Sequence, residues 1–177
     1  MKTNFLTIVV GTVLCVGLSS SAFAKPKHPR SPVVNATAPE CLDDSGNVLP
    51  VDDLQAIHFK TGTPNGATSR AHVSGPITKI YPNASGHDHF EITLSNNPGD
   101  TLEVVYNISF GALPTLKVGM TVEACGDFIN AYAPENGYQA SPDGALIHWI
   151  HRTNSAHPAG FTIVNGVLYG QGNGNGS

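Results

Sequence analysis

Hydrophobic and polar positions alternate along the second half of the chain, most cleanly in "HDHFEITLS", residues 87–95. Phe90, Ile92 and Leu94 fall on one face of a strand, and His87, His89 and Glu91 on the other, because strand side chains alternate. Similar patterns predict strands near 71–81, 101–109, 120–129 and 144–151, with a short one at 161–169. The separators "PNASG", "NNPGD", "NGYQASPDG" and "NSAHPAG" are turn chemistry. In the fourth strand Val122 and Ala124 face inward, which turns Glu123 and Cys125 outward. The fifth, "ALIHWIH", is apolar on both faces and is expected to be covered on both. Ahead of the strands, "VDDLQAIHF" predicts a short helix capped by Asp52 or Asp53. The expected fold is mainly β: a small five- to six-stranded, OB-like, partly open barrel with a short N-terminal helix.

The ends of the chain read differently. Lys2, the apolar run "FLTIVVGTVLCVGL" and Ala22-Phe23-Ala24 have the order of a cleaved secretory signal over residues 1–24. Residues 25–39, with four prolines and no periodicity, read as a flexible leader, and "GQGNGNGS", 170–177, as a disordered tail. A single domain is left over 40–169. The expected location is the periplasm or the outside of the cell, with no membrane span after the signal. Cys41 and Cys125 survive cleavage, and in an oxidising compartment such a pair most simply forms one disulfide.

Composition narrows the function classes. The 177 residues carry 9 Lys and Arg against 13 Asp and Glu, a formal charge of −4. That balance argues against nucleic acid as a partner, since phosphate binding needs clustered cations. Ser74-Gly75 and Ser85-Gly86 lack the context of a hydrolase nucleophile, and no Gly-rich loop leads into a strong helix.

The histidines are the candidate chemistry. "HWIHRTNSAHPAGF" places His148, His151 and His157 within ten positions. Neutral imidazole nitrogens are good ligands for Zn, Cu or Ni, so His87, His148, His151 and His157 are the candidate metal ligands. His89, Asn107 and Trp149 are candidate ligand-binding residues. His148 and His151, three apart, point to opposite faces of a strand and share a site only if the strand ends or bends near Ile150. The alternatives are acid–base catalysis, or histidines that hydrogen-bond loop carbonyls while Trp149 anchors the core.

These residues carry a resemblance. From about Val73 to Tyr169, His87 with Phe90, Asn107, "LKVGMTVEACGDF", and "GALIHWIH" followed by "HPAGF" resemble a bacterial family of secreted proteins known as domain of unknown function 3465. Members typically carry a histidine where this chain has Tyr106, and His-Asp where it has Arg152 and Thr153. The resemblance implies a small exported β domain and brings no activity with it. The expectation is therefore an exported, non-catalytic binding domain for a ligand of unassigned identity, with a divalent transition metal such as Zn as candidate cofactor. The alternative is a metal-dependent hydrolase, nucleases included, acting outside the cytoplasm.

Overall fold

A computed structural model describes residues 37–153 and 157–174. Residues 1–36, which include the expected signal segment and most of the expected leader, lie outside these residues. One helix, α1 (Asp53–Gly62), is followed by seven strands: β1 (Thr68–Ile80), β2 (His87–Thr93), β3 (Thr101–Asn107), β4 (Thr121–Asn130), β5 (Ala145–His148), β6 (Phe161–Val164) and β7 (Val167–Tyr169). The first five close into a barrel in the order β1-β2-β3-β5-β4, with β4 returning to β1. Every pairing is antiparallel except β3 with β5. This is the OB arrangement. The barrel is closed rather than partly open, because β1 pairs along β4 from Thr68 opposite Ile129 to Pro76 opposite Thr121.

β1 serves two neighbours. Its first part pairs with β4 and its last residues with β2, with a register irregularity between Ile77 and Lys79. Gly75 stands at this corner, where a Cβ would collide with the Thr93 carbonyl oxygen. Only glycine lets the two backbones approach that closely.

The core follows the alternation. Phe90, Ile92, Leu94, Leu102, Val104, Val122, Ala124, Phe128 and Ile147 are buried inside the barrel. α1 packs Ala56, Ile57 and Phe59 against that core, with Phe59 meeting Phe128 edge-on at 5.3 Å between centroids. Both aspartates at the start of the helix are used. Asp52 is the N-cap, accepting from the Gln55 amide, while Asp53 accepts from the amides of Ser74 and Ser95.

Cys41 and Cys125 form a disulfide with Cα atoms 5.6 Å apart. Cys125 faces out of the barrel, as the pattern predicts, yet it is fully buried. A second, smaller core covers it, made of Cys41, Phe161 and Leu168 with Ala38, Leu49 and Ile163 beside them. β6 and β7 supply this cover. They replace the single strand expected at 161–169, because Asn165 and Gly166, at φ 48° and 78°, turn the chain back on itself. The first residues of the expected disordered tail instead pack on the domain. The Gly172 amide donates to the Phe110 carbonyl, the Gln171 side chain to the Gly160 carbonyl, and Gly174 lies against the Phe110 ring. Among the described residues no helix is long and apolar enough to cross a membrane.

Candidate functional site

The outward faces of β2, β3, β5 and β4 carry the polar groups. On β2 these are His87, His89 and Glu91, opposite Asn107, Val105 and Glu103 of β3. On β5 it is His148, opposite Asp127 of β4. The parallel β3–β5 pairing brings His148 to His87, whose ring centroids lie 5.2 Å apart.

The fifth strand stops short. Expected to run to His151, it ends at His148, and Trp149 takes φ 55°. A bulky aromatic in the left-handed region is strained, and such outliers mark positions where the surroundings impose the backbone. The turn alters the strand alternation that would separate His148 from His151. Trp149 becomes the hub: its indole lies 4.9 Å from His148, 5.6 Å from His151, and stacks on His157 at 3.9 Å and 15°. Ile150 returns to the core, and His151, 2 % exposed, lies flat on Phe110 at 3.6 Å. Gly126 makes room for the bend, since a Cβ there would strike the His148 carbonyl and the Ile150 side chain.

The hydrogen bonds fix the chemistry of the rings. In four of them Nδ1 faces an oxygen acceptor: His87 the Ser85 carbonyl, His89 Glu103, His151 the Arg152 carbonyl, and His157 Asp127. A carbonyl or carboxylate oxygen can only accept, so Nδ1 carries the hydrogen and the neutral ring keeps a lone pair on Nε2. Metal-binding histidines use this same arrangement, donating their second nitrogen to a carbonyl or carboxylate. The Nε2 atoms of His148 and His151 are buried with no hydrogen-bond partner. Burial, helped by the charges of His87 and His151, pushes the His148 ring down to about 4. His151 is lowered as well, burial again leading. Both rings are neutral at neutral pH, so the orphaned His151 Nε2 is a bare acceptor.

His157 is held from below. Asp127 accepts from its Nδ1 through Oδ2 at 2.9 Å and from Arg70 through Oδ1 at 2.7 Å. Arg70 is buried and also donates to the carbonyls of Leu42 and Ala159, tying the N-terminal segment to the loop that carries His157. The other outward groups are engaged in the barrel wall. His89 pairs with Glu103 at 2.7 Å, and Asn107 accepts from the Ser109 amide, which caps a short turn rather than reaching the rings.

Of the residues expected to hold a metal, His87 and His148 therefore come together, while His151 and His157 flank them across Trp149. Among the described residues no three His, Cys, Asp or Glu side chains are arranged as a metal site. The 5.2 Å between His87 and His148 nonetheless suits two imidazoles on one ion, for which Zn–N bonds of about 2 Å place ring centres about 5 Å apart. Asp127, Arg70 and Phe110 belong to the cluster and escaped the sequence reading. The available signal was the outward position of Asp127 on β4. No family model and no curated protein matches the chain.

Proposed function

We propose that this chain is an exported binding domain that takes a divalent transition-metal ion at the His87–His148 pair. The observation that carries the proposal is the meeting of His87, whose Nδ1 is spent on the Ser85 carbonyl so that Nε2 is left bare, with His148, whose Nε2 is buried without a partner, at 5.2 Å between ring centroids. A lone pair buried without a partner is costly, and an ion that accepts lone pairs removes that cost. Neutral imidazoles, with no free thiolate beside them among the described residues because Cys41 and Cys125 are joined, favour Zn, Cu or Ni over Mg or Ca. Two protein ligands leave further positions on the ion for a bound ligand. Export is supported by the disulfide and by the signal-like first 24 residues. It agrees with the resemblance to domain of unknown function 3465, which we retain as part of the proposal.

A second reading, a metal-dependent hydrolase, draws on the His157–Asp127 pair. A carboxylate that orients an imidazole is the usual support of a general base. The net negative charge disfavours nucleic acid as its substrate.

Elemental analysis of tag-free mature protein decides whether a metal binds. Zn, Cu or Ni near one equivalent at pH 7.5, lost on dialysis at pH 5 as protons compete for the rings, supports the proposal. A protein that stays metal-free after incubation with each ion, and whose melting temperature ignores both metal and chelator, overturns it.

A further inference from the structure

We infer that Tyr81, Glu91 and Asp143 form a proton-sharing latch that holds the β4–β5 connection against the barrel wall and loosens when the shared proton leaves. The inference is independent of whether the histidines bind metal. Three hydroxyls serve two carboxyl groups here. Thr78 donates to Glu91 Oε1 at 2.6 Å and Thr101 to Asp143 Oδ1 at 2.9 Å. The remaining oxygens, Glu91 Oε2 and Asp143 Oδ2, both lie within reach of the Tyr81 hydroxyl, at 3.1 Å and 2.9 Å. A phenol has one hydrogen to donate. With both carboxyls ionised, one oxygen of the facing pair is left without a donor and two like charges stand side by side. A single added proton repairs both faults, as in other carboxyl pairs that share a site.

The charged surroundings bring a positive charge to Glu91 but none to Asp143. Lys79, beside Glu91 on the β1–β2 side, lies with its Nζ 4.9 Å from the centre of the Tyr81 ring. Lys60 of α1 donates to the Thr101 carbonyl. Glu103, opposite Glu91 on β3, adds negative charge and is paired with His89. The two carboxyls consequently part company. Burial, then the Glu91 hydrogen bond and charge, pushes Asp143 up to about 6. Burial works to raise Glu91 too, but hydrogen bonds from Thr78, Asp143 and Tyr81 with the Lys79 charge bring it below its ordinary value. Glu91 is the carboxylate and Asp143 the proton carrier.

The latch has a mechanical consequence. Asp143 is buried in the connection that leads, through Gly144, directly into β5. β5 is four residues long and delivers His148. Beyond its own ladder, the start of β5 is held by backbone bonds from Ala131 to the Gly144 carbonyl and from Ser141 to the Ala131 carbonyl, and by the Asp143 carboxyl on Tyr81 and Thr101. Protonated, Asp143 fastens the start of β5 to Tyr81 just past β1, to Glu91 of β2 and to Thr101 of β3. Ionised, it faces Glu91 as a like charge.

The test is carried out on the full mature chain by carboxyl carbon NMR and amide hydrogen exchange. Asp143 is expected to titrate near 6, and protection of the amides from Gly144 to Ile147, corrected for intrinsic rates, to fall about tenfold or more from pH 5 to pH 7.5. Asp143→Asn, a permanent stand-in for the protonated acid, should keep the high protection at both pH values. Glu91→Gln should return the Asp143 midpoint toward the ordinary carboxylate range, a readout that survives if Asp143→Asn folds poorly. An Asp143 midpoint near 4 in the parent protein, or a pH-dependent loss of protection that persists in Asp143→Asn, overturns the inference.

Discussion

The guanidinium of Arg70 meets the carboxylate of Asp127 at 2.7 Å, with the Arg70 side chain 2 % exposed and that of Asp127 19 %. The pair links β1 to β4 and, through the second oxygen of Asp127, steadies His157. Removing one partner of such a pair leaves the other charge without compensation. Arg70→Ala should cost about 3 kcal/mol or more in urea unfolding. Adding Asp127→Asn should recover part of that loss, because the stranded carboxylate goes with it. Equal losses in the single and double variants would show that Arg70 acts only through its carbonyl contacts.

The disulfide joins residues 84 apart, and the chain-entropy model assigns such a loop about 4.6 kcal/mol. Cys41→Ala and Cys125→Ala should lower the unfolding midpoint by similar amounts, and the double variant by little more than either. Intact-mass analysis of protein recovered from the periplasm should find both thiols oxidised within one chain. Free, alkylatable thiols there would contradict this.

Gly126 sits where β4 lets the end of β5 approach. Gly126→Ala should cost about 1–3 kcal/mol by overpacking. It should also shift the NMR signals of His148 and Ile150 more than those of residues in β2, since the added methyl presses on those two. A silent substitution would mean that β5 does not lie this close.

Two groups of opposite sign shape the pH dependence of the metal-free protein. His148, lowered to about 4, binds fewer protons folded than unfolded, so its contribution is full above pH 6.5 and is lost as pH falls through 4. Asp143, raised to about 6, stabilises below the ordinary carboxylate range, and that contribution is lost as pH rises through 6. Urea midpoints measured with chelator from pH 7.5 to 4 should therefore fall more steeply in Asp143→Asn than in the parent. In His148→Asn they should fall less steeply. Unchanged slopes in both variants would show that neither residue shapes the pH dependence.

The barrel was legible wherever one face of a strand is buried and the other is polar. Period-two alternation places His87, His89 and Glu91 of β2 and Cys125 of β4 on their true faces. The helix cap follows from an equally local signal, and the disulfide from there being two cysteines beyond residue 24. The end of β5 was not legible, because "ALIHWIH" is apolar on both sides and so carries no alternation to break. Its turn depends on a left-handed tryptophan, a conformation that no sequence propensity announces. The partners of single charges were hidden for another reason. Arg70 finds Asp127 across 57 positions and Tyr81 finds Asp143 across 62, contacts that exist only once the barrel has closed.

His87 and His148 are proposed to hold one ion together. Long-range nitrogen NMR of the imidazole rings, recorded during stoichiometric addition of Zn to the mature chain, tests it most directly. The Nε2 signals of His87 and His148 should both shift and saturate near one equivalent, and His87→Ala or His148→Ala should each abolish the shift of the other ring. Saturation of His148 with His87 unmoved, or no response from either ring at several equivalents, would contradict it.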